Sequence, residues 1–303
     1  MPLVKDYLQL HFIVLLWGFT AILGKLITIP AVELVFYRTL LAAFFLWMLL
    51  FLRRRQFTIG RQEILKTTAT GLLIAAHWIL FFVSARIATV SICLVGMSTV
   101  ALWTSILEPI MTGKAFKWYE VVLGLVVIIG LYIIFHFEFD HALGLLLAVV
   151  SAILAAVFTI LNAGFTRKHN PYMITFYEMF GACVGTALFF PIYSNYLSES
   201  GVLRLTPTAL DWLFLLILAL ACTVYAYSVS VELMKRISAF MMNLTINLEP
   251  VYGIILAVII FGDQERMTSG FYLGAAMILV CVLAYPLLNK FFGSKTLGLD
   301  NLR

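Results

Sequence analysis

Glu249 lies 12 residues from each end of the apolar run Ile237 to Phe261. At about 1.5 Å per residue, a helix would carry it to the bilayer midplane. An ionisable group at that depth is costly and persists by facing a cavity or a partner. Pro250 follows, and a proline removes a backbone donor and crowds the carbonyl four residues back, which loosens the helix. A carboxylate beside a loosened helix could bind a cation or an ammonium group, or carry a proton. The plainer alternative is a neutral glutamic acid hydrogen-bonded between helices. Asn243 and Asn247 stand four apart on the same run and share a face. They could line a cavity or bridge helices.

Other intramembrane polar groups follow. Arg38 and Glu178 sit in matching places, each behind a Phe-Tyr pair (Phe36-Tyr37 and Phe176-Tyr177). Depth argues against pairing them: each falls within roughly 10 Å of an opposite surface. A hydrocarbon core about 30 Å thick then separates them by more than about 10 Å. Arg38 could take a substrate carboxylate bidentately or snorkel outward as an anchor. Trp17, His77, Trp78, Trp103, Asn162, Tyr225 and Tyr227 lie within apolar runs. They could form an aromatic-lined cavity with a few polar groups, although such aromatics commonly serve packing or the interface.

Ten apolar runs must position these residues: Leu8 to Ile27, Glu33 to Leu52, Lys66 to Ala85, Ala88 to Glu108, Trp118 to Phe135, Ala142 to Phe165, Tyr172 to Tyr193, Ala209 to Val229, Ile237 to Phe261 and Thr268 to Leu288. Of 303 residues, 63% are hydrophobic and 12% charged, and each helical crossing needs about 20 apolar residues. A soluble enzyme, a single-anchor protein and a disordered chain are excluded. Helices are required because hydrocarbon leaves no partner for an open backbone group. Fifteen of the 20 Lys and Arg fall at one set of helix ends, from Lys5 and the Arg53 to Lys66 cluster through to Arg303. Arg86, Arg204 and Arg266 fall at the other, which places both termini in the cytoplasm; a cell (inner) membrane is the simplest expectation for a helical bundle. The four cysteines are scattered singly, with no zinc spacing.

The chain repeats itself. Phe36-Tyr37-Arg38 matches Phe176-Tyr177-Glu178 at an offset of 140. Arg86-Ile87-Ala88-Thr89 falls on Lys235-Arg236-Ile237-Ser238, and Gly113-Lys114 on Gly262-Asp263, at 149. The loop Ser194 to Thr208 supplies the difference. Two five-helix units result, residues 1–140 and 141–303, and because five is odd the second enters the membrane inverted. Inverted repeats place a site near the midplane and expose it alternately to each side.

Trp17-Gly18-Phe19 with Lys25, Phe36-Tyr37-Arg38, the segment Asn247 to Asp263 and Gly270 to Gly274 resemble the drug/metabolite transporter superfamily, EamA type. The resemblance implies helices one to four and six to nine around a central cavity, helices five and ten at the periphery, and export of amino acids or related metabolites. The chain departs from the family's usual Gly-Glu pairs at Gly262-Asp263 and Gly113-Lys114, and from its helix-four proline near Ala101.

The sequence thus predicts an all-α membrane protein and a secondary transporter working by alternating access, with no cofactor and no metal. A channel or facilitator is the alternative, with a lipid-handling protein behind it. Its partners would be a small-molecule substrate and membrane lipids, not nucleic acid. Gly181 with Gly185, and Gly270 with Gly274, have the spacing of close helix packing or of a homodimer. No phosphate loop, His-Glu-x-x-His pair or Gly-x-Ser-x-Gly elbow occurs, which argues against an ATPase or a hydrolase.

Overall fold

The computed structural model describes residues 2–53, 59–88, 90–135, 142–198, 201–249, 251–253, 256 and 269–300, and no strand occurs among them. The helices are α1 (Val4–Leu26), α2 (Ala31–Leu52), α3 (Arg61–Ile87), α4 (Val90–Met97), α5 (Val100–Thr112), α6 (Trp118–Phe135), α7 (Ala142–Phe165), α8 (Pro171–Tyr196), α9 (Ala209–Ala219), a π-helical turn (Leu220–Tyr225), α10 (Ala226–Leu233), α11 (Ala239–Ile246) and α12 (Ser269–Asp300). Six segments are long and apolar enough to cross a membrane: Val4–Gly24, Ala31–Leu52, Arg61–Ile87, Ala142–Phe165, Pro171–Tyr196 and Ala209–Leu233. Val100–Thr112, Trp118–Gly130 and Ala276–Phe292 are shorter apolar helices.

Local chemistry sets the helix ends. Pro171 opens α8 with the Asn170 side chain accepting from the Tyr172 N–H, and Ser238 caps α11 through the Met241 N–H. Thr208 and Asp211 form a reciprocal capping box at α9. Gly113, at φ +69°, closes α5 in the left-handed conformation that glycine adopts without strain.

Several runs depart from their expected form. The fourth is divided between α4 and α5 by a turn in which the Gly96 carbonyl accepts from both the N–H and the hydroxyl of Thr99. The eighth carries the π-turn between α9 and α10. In the ninth, α11 ends at Ile246 and Asn247 is its C-cap. Pro250, the Gly262-Asp263 pair and most of the rest of that run lie outside the described residues, as does the Lys25 side chain. α3 begins at Arg61 rather than Lys66, and α12 continues past Leu288.

The duplication shows in the element starts. α2 and α8 begin 140 residues apart, and α4 and α11 begin 149 apart, the offsets read from the sequence. Buried apolar side chains form two clusters. One, with Leu34, Trp78, Ala152, Met179 and Leu215, joins α2, α3, α7, α8 and α9. The other, with Ile13, Val127, Phe240 and Ile278, joins α1, α6, α11 and α12. Trp17 packs against both.

Close backbone approach locks α3 to α8. A Cβ on Gly71 would run into the Glu178 carbonyl, and one on Gly181 into the Thr68 carbonyl. The Gly181 and Gly185 spacing therefore serves packing within this chain, with Gly185 against Leu72. At its two ends α1 is tied to the second repeat. Thr28 donates its N–H and hydroxyl to Asp211, each at 2.7 Å, and Asp6 takes Arg236 through two hydrogen bonds of 2.8 and 3.0 Å.

Candidate functional site

Between the two clusters lies a cavity of ≈ 90 Å³. One water needs about 10–15 Å³ on the same measure, so the space takes several waters or part of a small organic molecule. α1 contributes Trp17 and Thr20, α2 Arg38, α3 His77, Trp78 and Phe81, and the α4–α5 junction Met97 and Val100. From the second repeat come Ala155, Phe158 and Thr159 of α7, Tyr227 and Ser230 of α10, Met242, Asn243 and Ile246 of α11, then Met234 and Glu249. Among the described residues, none of α6 or α12 lines it.

Arg38 is 2% exposed and turns inward, so the outward-snorkelling anchor is not what this side chain does. Its guanidinium carbon lies 3.8 Å from the Trp78 ring centroid, and its Nε donates to Thr223 Oγ1 at 2.8 Å. Nη1 is buried without a hydrogen-bond partner. No ion pair joins Arg38 to Glu178 or to Glu249 among the described residues, although Glu249 shares the cavity. A buried guanidinium with an unused donor is poised for an anion, because Arg donors match a carboxylate fork.

His77 reaches from α3 to α7. Its Nδ1 lies 2.9 Å from the Ser151 carbonyl, which only accepts, so this nitrogen carries the proton. Nε2 is left as the acceptor. The Ser151 hydroxyl donates in turn to the His77 carbonyl at 2.8 Å, and Phe158 meets the imidazole edge to face. Trp17 Nε1 donates to the Cys222 carbonyl inside the π-turn at 2.9 Å. Asn243 donates to Thr104 Oγ1 at 2.8 Å and accepts from Thr159 at 3.4 Å, joining α11 to α5 and α7.

Of the residues singled out in the sequence, Trp17, Arg38, His77, Trp78, Tyr227, Asn243 and Glu249 meet at the cavity, and five do not line it. Asn162 lies behind Tyr227 and donates to its hydroxyl at 2.8 Å. Asn247 is buried but does not share a point with Asn243, because the chain leaves the α-helix in two tight turns from Asn247 and Leu248 to the carbonyls of Leu244 and Thr245. Trp103 bonds its own helix entry at Thr99, 3.0 Å away. Tyr225 is 41% exposed beside Phe12 and cannot share the Tyr227 face, since residues two apart on a helix diverge. Glu178 is fully buried away from the cavity. Thr20, Thr159 and Ser230, which line the cavity, and Thr223, which holds Arg38, are among the polar residues that the sequence reading missed. Their signal is a hydroxyl inside a run that must lie near a buried arginine or asparagine.

A multi-span helical membrane protein with a mixed aromatic and polar cavity between two repeats is thus defined. The sequence pattern of the EamA-like transporter family matches residues 7–136 and 142–285, and the chain belongs to that family, a branch of the drug/metabolite transporter superfamily. No curated protein matches the chain in sequence. A solved structure titled "Crystal structure of protein" is 15% identical, with a TM-score of 0.74 over 95% of this chain and 99% of that one, which speaks to the fold.

Proposed function

We propose that this chain is a secondary transporter of ten membrane helices in two inverted units, residues 1–140 and 141–303. By alternating access it exports an amino acid or a similar small zwitterionic metabolite. The observation that supports this reading most is that Arg38 and Glu249 bring opposite charges to one aromatic-lined cavity without pairing. A zwitterion would answer both, its carboxylate toward Arg38 and its ammonium toward Glu249, while Trp17, Trp78 and Tyr227 cover the apolar part. Glu249 is also the group we assign to cation or proton coupling. Family membership supports a small solute, the Lys and Arg distribution supports cytoplasmic termini, and the helical bundle suits a cell membrane.

The test is counterflow of labelled L-amino acids, each with its decarboxylated amine and deaminated acid as competitors, in liposomes holding the purified protein. Saturable counterflow blocked best by zwitterions supports the reading. Folded protein that moves no member of the set overturns the zwitterion assignment, and ion current without counterflow would replace the carrier by a channel.

A further inference from the structure

Behind the Tyr227 wall of the cavity lies a second polar cluster that the cargo site does not use. Glu178 of α8 is 0% exposed, and its two carboxylate oxygens have no hydrogen bond of normal geometry. The groups acting on it are the Asn162 amide from α7 and the Tyr227 phenol from α10. Neither α2 nor α3 offers it an ion pair among the described residues, and α3 faces its backbone with Gly71. Asn162 is itself half satisfied: Nδ2 donates to the Tyr227 hydroxyl, and Oδ1 is buried without a partner.

The cluster therefore holds three buried acceptors without a donor, Glu178 Oε1 and Oε2 and Asn162 Oδ1. An ionised carboxylate in apolar surroundings with no cation is costly. One proton on Glu178 removes that charge and turns one of the three acceptors into a donor. A phenol oxygen both donates and accepts. Tyr227 can thus accept from a protonated Glu178 in exchange for Asn162, with its own O–H free to turn to the cavity that it lines.

We propose that Glu178 is a proton-carrying site, exchanging its proton with the cavity through the Tyr227 hydroxyl. In that step the Glu178 O–H proton passes to the Tyr227 oxygen as the phenolic proton leaves for water or a basic group in the cavity. Glu178 is left as a carboxylate that accepts from the phenol O–H formed by the transferred proton. Its use in coupled transport rests on the carrier reading, whereas the proton itself is detectable without any cargo.

The test is infrared spectroscopy of the protein in liposomes, carried in a Glu249→Gln background to remove that carboxyl. A protonated-acid C=O band is expected at neutral pH, absent in Glu178→Gln and displaced in Glu178→Asp. Transfer into deuterated buffer should shift the band. In Tyr227→Phe that shift should be about a hundred-fold slower, the low end of what a positioned proton-transfer group contributes. No band dependent on residue 178 in either variant would overturn the protonated site, and exchange at the parent rate in Tyr227→Phe would overturn the route. Absence of counterflow with the band present would fail the carrier reading alone.

Discussion

Arg38 in the first repeat and Thr223 in the second are joined by a 2.8 Å hydrogen bond from Nε to Oγ1, made inside the π-turn that interrupts the α9–α10 segment. Thr223 also donates to the Leu218 carbonyl five residues back, so its lone pairs are turned toward Arg38. With Trp78 stacked on one face, the guanidinium is held from two sides, and its Nη1 is a buried donor without a partner.

Thr223→Val keeps the shape and removes the acceptor. A hydrogen bond to a charged group contributes about 1.5–3 kcal/mol, so half-saturation in counterflow is expected to rise at least about ten-fold. Thr223→Ser should restore it. Equal loss in both variants, with unchanged thermal unfolding, would show that Thr223 does not orient Arg38.

Glu249→Gln preserves size and hydrogen bonding but not charge. It is expected to abolish the part of transport driven by a pH gradient while leaving the folded fraction intact. Parallel flux measurements with and without the gradient, set beside size-exclusion profiles, read the two effects separately.

The α3–α8 contact should be intolerant of a methyl group. Gly71→Ala would press against the Glu178 carbonyl, and overpacking costs about 1–3 kcal/mol. Gly60→Ala, where a Cβ meets nothing within 4 Å, is the control. Thermal unfolding in detergent should separate them clearly.

Asp6 and Arg236 connect the start of α1 to the turn between α10 and α11. Arg236 is 39% exposed, so the pair is expected to contribute no more than about 1 kcal/mol. A double-mutant cycle with Asp6→Asn and Arg236→Gln, read as unfolding temperature, measures that coupling. Additive losses would mean that the contact is incidental.

Much of this architecture is written in the sequence as apolar run length and punctuation. The starts of α2 and α8, and of α4 and α11, stand at the two offsets that the repeated motifs set. Glu249, Asn243, His77 and Trp78 were visible because a polar or ring-bearing residue inside an apolar run is conspicuous. Asn247 misled because regular helix geometry was carried past Ile246, where the backbone turns more tightly. Arg38 misled because distance from a helix end suggested an outward reach, when a hydroxyl and an indole on neighbouring helices hold it inside. Thr223 was hidden because threonine is common in membrane helices, and its relation to Arg38 spans 185 residues.

The π-turn at Leu220–Tyr225 amounts to one surplus residue in an otherwise ordinary helix. Winding the same residues as a regular α-helix would rotate everything beyond the turn by about 100° relative to everything before. Asp211, tied to Thr28, belongs to the part before; Tyr227, facing the cavity and Glu178, belongs to the part after. Both cannot keep their present partners in a helix of regular pitch. The chain thus spends one residue of irregular winding to serve two masters on one rod, a tether at its entry and a chemical wall near its exit.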